Sequence, residues 1–254
     1  MESLTSMELV AAVAVTLLAS FVKGAVGFAM PMVMVSGLAL FLPAPLALAM
    51  LIMPTLASNL WQALRQGRAA AWTSLQPFRL YLAVLVLAIL ATAQLVRWLS
   101  EDALYLILGL PITVLALMQL AGVRFRVRPG QRRAADLGVG LLAGGMGGLS
   151  GVWGPQTVLY LTALDVPKGE SVRVQGVIYG VGGVALLLAH LKSGVLNAQT
   201  IPLSVLMTVP ALAGMALGFR VQDRLDQARF RNWTLVVLVL AGLNLIRKGA
   251  AGLV

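Results

Sequence analysis

Lys23-Gly24-Ala25-Val26-Gly27-Phe28-Ala29-Met30-Pro31 and Gly147-Gly148-Leu149-Ser150-Gly151-Val152-Trp153-Gly154-Pro155 are the two stretches that decide the fold. Each interrupts a long hydrophobic segment, and one shift of 124 residues superimposes them. The shift lays Gly24 on Gly148, Gly27 on Gly151, Pro31 on Pro155 and Pro43 on Pro167, and Leu17-Leu18-Ala19 on Leu141-Leu142-Ala143. Corresponding interruptions in two halves of an apolar chain point to a binding site of the transporter type.

The composition sets the solvent. Hydrophobic residues make up 59% of the 254 residues, charged residues only 11%, and mean hydropathy is +0.91. Soluble domains carry about 25% charged residues, so the chain reads as an integral membrane protein. Its apolar runs lack the two-residue alternation of a β-barrel and approach the roughly 20 residues a spanning helix needs. The fold class is therefore an all-α polytopic membrane protein. There is no Cys, which removes thiolate and disulfide chemistry. Glu2 and Glu8 stand where a cleavable signal would carry basic residues, so none is expected.

The net charge of +10 invites a nucleic-acid reading, which the map of charges opposes. Arg65, Arg68 and Arg79 flank one connection, Arg124, Arg126, Arg128, Arg132 and Arg133 a second, and Arg220, Arg224, Arg229 and Arg231 a third. Short basic loops between apolar segments are cytoplasmic by the positive-inside rule, and they attract anionic lipid headgroups. No nucleic acid is expected as a partner.

Full spans are expected at about 45–66, 77–99, 103–121, 169–191, 199–219 and 230–247, with broken segments at 8–42 and 136–164. Residues 31–42 would rise only about 18 Å as a helix, against a hydrocarbon core of about 30 Å. Each broken segment is thus expected to be two helices that meet inside the membrane and leave on the side they entered. Placing the Arg-rich loops in the cytoplasm puts thirteen Lys or Arg inside, Lys168 included, and four outside: Arg97, Lys192, Arg247 and Lys248. Lys23 and Arg173 fall within or near apolar segments. Arg247 and Lys248 run against the count. The halves are then inverted: a first repeat at 1–122, a basic cytoplasmic linker at 123–135 and a second repeat at 136–254. Each repeat is a re-entrant hairpin plus three transmembrane helices, the architecture of alternating access.

Glycines at 24, 27, 148, 151 and 154 permit unwound backbone and close helix approach, and Pro31 and Pro155 suit the restart of a helix. Each restarting helix would aim unpaired N–H groups and a positive dipole end at the midplane, a site for an anion. Lys23 adds a full charge there, with snorkelling to an interface as its other reading. Arg173 fits a substrate contact or a lipid or loop contact. Asn59 and Gln62 fit either a hydrogen bond to a neighbouring helix or a pore lining. Phe28, Ser150, Trp153 and Gln156 border the breaks; Trp153 suits packing or an interface equally. His190 reads as a solvated interfacial residue.

All nine acids fall in loops or at segment ends, so no intramembrane carboxylate relay of the proton-coupled kind is expected. A sodium site built from backbone carbonyls at the breaks stays open. With one His, no Cys and no His-Glu-x-x-His, enzymatic chemistry is not expected, and neither is a cofactor or metal.

These motifs resemble the TauE/SafE family of sulfite and organosulfur-anion exporters over about residues 8–247. The resemblance rests on Phe21 to Pro31 with its Lys-Gly-x-x-Gly-Phe core, on Gly147 to Tyr160 with Gly-x-x-Gly-x-x-Gly-Pro, and on Asn59-Leu60-Trp61-Gln62. It implies a multi-pass transporter in the bacterial inner membrane that moves sulfite, sulfonates or sulfoacetate, usually outward. It also implies a substrate site at Lys23, Gly24, Gly27, Asn59, Gln62, Gly148, Gly151, Gly154 and Gln156. A polar counterpart of Asn59 is expected in the second half, where the chain reads Gly180-Val181-Gly182-Gly183. An anion channel of the same architecture and a carrier of non-sulfur organic anions are the alternatives.

Overall fold

The apolar runs become helices in the computed structural model, which describes residues 4–65, 67–123, 126–128, 130–221 and 226–251; Glu2, Arg124, Asp223 and Arg224 lie outside the described residues. Thr5 and Glu8 close a capping box that starts α1 (Ser6–Val26), satisfying donors that a helix start leaves bare. The helix ends where Gly27 turns left-handed at φ 87°, its N–H bonded to the Lys23 carbonyl at 2.7 Å. The chain then restarts as α2 (Met30–Leu38) and continues as α3 (Ala44–Leu64), α4 (Arg68–Leu75), α5 (Arg79–Thr92) and α6 (Glu101–Leu120). The second half runs α7 (Arg132–Ser150), α8 (Gly154–Ala163), α9 (Lys168–Ser193), α10 (Thr200–Leu206), α11 (Thr208–Val221) and α12 (Gln227–Ala251).

Among the described residues, seven helical stretches are long and apolar enough to cross a membrane. Six correspond to the expected spans; the seventh is α1, which was expected to stop short. At 21 residues it rises about 31 Å, because the capping box starts it early and Gly24 does not break it. Two expected spans are also less regular than expected. The span read at 77–99 begins at Arg68, passes a 3₁₀ turn at Gln76–Phe78 and ends in another at Ala93–Trp98; Pro77 cannot donate an i→i−4 bond. The span read at 199–219 is two helices joined at Met207, where Pro210 removes an N–H from the ladder. Large side chains such as Leu18, Leu87, Leu141, Val237 and Leu240 point outward, as a lipid-facing surface requires.

Small residues set the packing. Gly140, Gly144 and Gly148 form a ridge on α7 against Tyr81, Leu85 and Ile89 of α5, and Gly214 and Gly218 on α11 meet Leu17 and Phe21 of α1. Both pairs run parallel, since the contact positions rise together. In contrast, α3 and α9 are antiparallel, with Gly176 on Ala63, Gly180 on Asn59 and Gly183 on Leu56; α6 and α12 are antiparallel through Gly109 and Gly242. Backbones this close gain dispersion contacts that hold helices together without a hydrophobic drive.

The 124-residue step recurs in these elements. It carries the first residue of α2 to that of α8 and the first residue of α3 to that of α9. The caps match: Pro43 (φ −57°, ψ 142°) precedes α3 and Pro167 (φ −55°, ψ 141°) precedes α9. The α1–α11 pairing has its counterpart in α7–α5.

The three Arg-rich connections gather at one end of the bundle. Arg132 donates to the Pro77 carbonyl at 2.8 Å, Arg65 lies 4.3 Å from the Phe219 ring centre, and Arg173 donates to Ser74. At the other end, Lys248 donates to the carbonyls of Ala39 and Leu40 at 2.7 and 3.0 Å. Glu101 accepts from Ala44 N–H at 3.3 Å and from the Tyr105 hydroxyl at 2.8 Å. Lys248 thus has a local reason to sit against the charge rule: it caps the end of α2.

A Cβ at Gly24 would fall inside the Met215 carbonyl, and one at Gly148 inside Thr92 Oγ1 and 2.6 Å from the Ile89 carbonyl, whereas Gly138 meets nothing within 4 Å. Gly24→Ala and Gly148→Ala are expected to destabilise the detergent-solubilised protein by about 1–3 kcal/mol. Gly138→Ala is expected to leave its melting temperature unchanged or raise it, as measured by thermal denaturation.

Candidate functional site

Both interruptions are built alike. Gly151 ends α7 at φ 71°, its N–H bonded to the Gly147 carbonyl at 2.7 Å, as Gly27 ends α1. Only glycine takes this conformation without strain. After each break a helix restarts with Pro31 or Pro155 in its first turn and no side-chain cap. The first-turn N–H groups of α2 and α8 are therefore without their usual oxygen partners. Ala29, ahead of α2, is left-handed at φ 77° without being glycine, a sign of strain held by its surroundings.

The two breaks meet. One partly open cavity of about 330 Å³ is lined by Lys23, Phe28, Ala29, Pro31 and Met32 from the first break and by Gly151, Val152, Trp153, Gly154 and Pro155 from the second. Asn59 of α3 and Tyr179 of α9 complete it.

Lys23 is the central group. It is 1% exposed, so it does not snorkel to an interface. Its Nζ donates to Ser58 Oγ at 2.9 Å and to Asn59 Oδ1. Among the described residues no carboxylate lies within 4.0 Å of it. A buried ammonium with only neutral partners carries a desolvation cost of several kcal/mol that an anion would offset. Asn59 turns its amide nitrogen to the Tyr179 carbonyl at 2.9 Å, tying α1, α3 and α9 together through one side chain. The Tyr179 hydroxyl donates to the Gly154 carbonyl at 3.0 Å and so holds the second break.

The halves contribute unlike groups. The position 124 residues after Lys23 is Gly147, and the Trp153 ring lies over it: a Cβ there would stand 2.9 Å from Trp153 Cε3. The same ring packs on Gly182. Trp153 is buried, and its Nε1–H has no acceptor among the described residues.

The remaining expected residues divide. Gly24 and Gly148 are helix-packing positions beside the breaks. Gln62 donates to the Gly27 carbonyl at 3.3 Å, bracing the first break outside the cavity lining. Ser150 accepts from Val152 N–H at 3.1 Å and shapes the second. Gln156 is buried on the far side of α8, with Nε2 3.2 Å from Met146 Sδ. Arg173 bonds to Ser74 between α9 and α4 and does not line the cavity. His190 departs from its reading as a solvated residue: it is fully buried, with Nδ1 3.1 Å from Ser193 Oγ, because α9 runs on to Ser193 and Leu196 N–H folds back onto the His190 carbonyl. Asp136 is also buried, in the second turn of α7, accepting from the Tyr160 hydroxyl with Arg132 at 3.4 Å.

Ser58 and Tyr179 escaped the sequence reading. Tyr179 immediately precedes Gly180-Val181-Gly182-Gly183, where a polar counterpart of Asn59 was expected. It serves through its carbonyl and hydroxyl, four positions, about one helical turn, before Gly183, the place that the 124-residue shift singles out. Ser58 is adjacent to Asn59, and only the approach of α1 distinguishes it from an ordinary helical serine.

If Lys23 is a ligand group and not a structural one, the fold does not need its charge. Lys23→Met is expected to leave thermal stability unchanged or to raise it, because replacing a buried ion by an apolar side chain of similar length is often stabilising by about 1–4 kcal/mol. Asn59→Leu is expected to lower stability by about 1–3 kcal/mol, since it removes one of the two acceptors of the buried Lys23 and leaves the Tyr179 carbonyl without its Asn59 donor.

No curated protein and no solved structure gives a significant match to this chain. The family profile described as "Sulfite exporter TauE/SafE" matches residues 12–245, a range that holds both breaks and every residue lining the cavity. The chain therefore belongs to the TauE/SafE sulfite exporter family: it is a multi-pass membrane transporter of small sulfur-containing anions and not an enzyme.

Proposed function

We propose that this transporter binds a sulfur oxyanion, of the sulfite, sulfonate or sulfoacetate type, in the cavity between the two helix breaks, and exports it by alternating access. The observation that carries the reading is Lys23: a buried ammonium with no carboxylate partner among the described residues, on the wall of a cavity. Around it the cavity offers donors. The Trp153 Nε1–H is unpartnered, and the first-turn N–H groups of α2 and α8 face the same space with their dipole ends. An oxyanion has acceptors for all of them. Phe28, Pro31, Gly151, Gly154 and Pro155 shape the cavity; Gly24, Gly27, Gly148, Gln62 and Ser150 hold the breaks; Gln156 and Arg173 act at a distance from it.

The two halves, divided by the basic stretch 123–135, form an inverted repeat. The support is the common 124-residue step in helix starts, proline caps and breaks, together with the exchanged pairings α1–α11 and α7–α5. Inverted halves meeting at a site are the architecture of rocking transporters. The Arg-rich end faces the cytoplasm of a bacterial inner membrane and rests on anionic lipid headgroups. For an anion leaving a cell that is negative inside, the potential supplies about 2.3 kcal/mol per charge per 100 mV, enough to drive export without a coupled ion.

The test is counterflow in proteoliposomes with sulfite, sulfoacetate, taurine, sulfate and acetate, with and without an imposed potential. Saturable, potential-sensitive flux of sulfur oxyanions is expected for the native chain. Lys23→Met is expected to weaken anion binding about 30- to 5000-fold, from the roughly 2–5 kcal/mol that a desolvated charge partner contributes. Asn59→Asp, which places a carboxylate on Lys23, is expected to abolish flux in a folded protein. No flux of any anion above empty liposomes would sink the reading.

A further inference from the structure

A second and larger cavity lies against the first. It is an open cleft of about 1320 Å³ bounded by α8, the start of α9 and Arg231 at the start of α12. These elements belong to the Arg-rich end of the bundle, where α8 closes on the loop through a Val127 N–H bond to the Ala163 carbonyl at 3.0 Å. Its walls are mostly apolar, with Thr162, Ser171 and Gln175 as polar groups and Asp165 and Arg231 as charged ones. A neighbouring cavity continues from Thr162, Asp165 and Arg231 to Arg126, whose partner is Asp165 at 3.8 Å. The chain therefore holds a wide vestibule of mixed lining at the basic end.

Among the described residues, Phe28 is the one that lines both this vestibule and the inner cavity. It is 6% exposed, and Met32 behind it is 1% exposed. Its backbone neighbours are unusual: Gly27 at φ 87° and Ala29 at φ 77° are both left-handed. The ring thus stands on unwound chain between two helices, where no i→i−4 ladder fixes it. A break of this kind is where a transporter turns a short segment without moving whole helices. At the opposite end the α2–α3 connection is tied by Lys248 and Glu101.

We propose that Phe28 is the inner gate: its ring separates the buried anion cavity from a vestibule that receives or releases the anion at the basic end, and Arg231 draws the anion into that vestibule. This rests on the reading of the inner cavity as the anion site. Its consequences are geometric, so they can be read without any transport measurement. Shrinking the ring opens the inner cavity to the vestibule; enlarging it keeps the cavity shut.

The chain has no native cysteine, so single cysteines report access directly. Ser171→Cys marks the vestibule, and Met32→Cys and Val152→Cys mark the inner cavity. Each is combined with Phe28, Phe28→Ala or Phe28→Trp and treated with an anionic methanethiosulfonate reagent, in membrane vesicles of both orientations. Ser171→Cys is expected to react in all three backgrounds and from one face only, which also reports that the variants are folded. Met32→Cys and Val152→Cys are expected to react from that same face at least 10-fold faster with Phe28→Ala than with Phe28 or Phe28→Trp. Equal rates in all backgrounds, or reaction only from the opposite face, would overturn the gate. Because the reagent reports access and not flux, a gate that opens as expected alongside absent sulfur-anion counterflow would remove the substrate reading alone. Counterflow with no Phe28 dependence of labelling would remove the gate alone.

Discussion

One positive charge buried among neutral groups organises this molecule. Lys23 gains two hydrogen bonds, from its ammonium to Ser58 and Asn59, and no counter-ion among the described residues. Such a group persists only where surrounding structure holds it, and the surroundings are elaborate. Asn59 passes the contact on to the Tyr179 backbone, and the Tyr179 hydroxyl secures the second break. Both helix restarts lack a side-chain cap. Each of these features has an energetic cost, and on the proposed reading one bound anion would relieve them together.

The halves are alike in backbone and unlike in chemistry. Their caps, breaks and prolines agree closely, yet the first supplies an ammonium where the second has glycine covered by an indole. Two ammonium groups in one small cavity would repel strongly at low dielectric. A single charge opposite a neutral indole avoids that repulsion.

Much of this was written in the sequence. The breaks were legible because glycine and proline act locally: a left-handed cap and a first-turn proline do not depend on distant residues. The burial of Lys23 and its position on the cavity wall agree with the placement of an intramembrane cation beside a break. Contacts that depend on register between helices were not legible. Asn59 faces Tyr179 only because α3 and α9 pair antiparallel through Gly176, Gly180 and Gly183, and the composition of one helix does not report its phase against another. His190 illustrates the same limit, for a short extension of α9 and the turn after it enclose a side chain that its flanking Lys192 had marked as solvated. Lys248 broke the charge rule for an equally local reason, since carbonyls at the end of α2 needed a donor. The length of α1 was in fact available, in Thr5 and Glu8.

The parallel pairings have a consequence for how the protein is made. The glycine ridge of α7 rests on α5, whereas the face of α1 that carries Gly24 waits for Gly214 and Gly218 of α11. A ribosome delivers α1 into the membrane almost two hundred residues before that partner. Throughout that interval α3 meets the lysine and the first break through Ser58, Asn59 and Gln62, but the Gly24 face of α1 has no companion helix, and lipid or the insertion machinery must cover it. The first half alone is then not a folding unit. Assembly becomes a late closing step in which the last third of the chain slides into a cleft held open by everything before it. Truncation near the C-terminus would therefore expose the oldest part of the nascent protein, not the newest, to quality control.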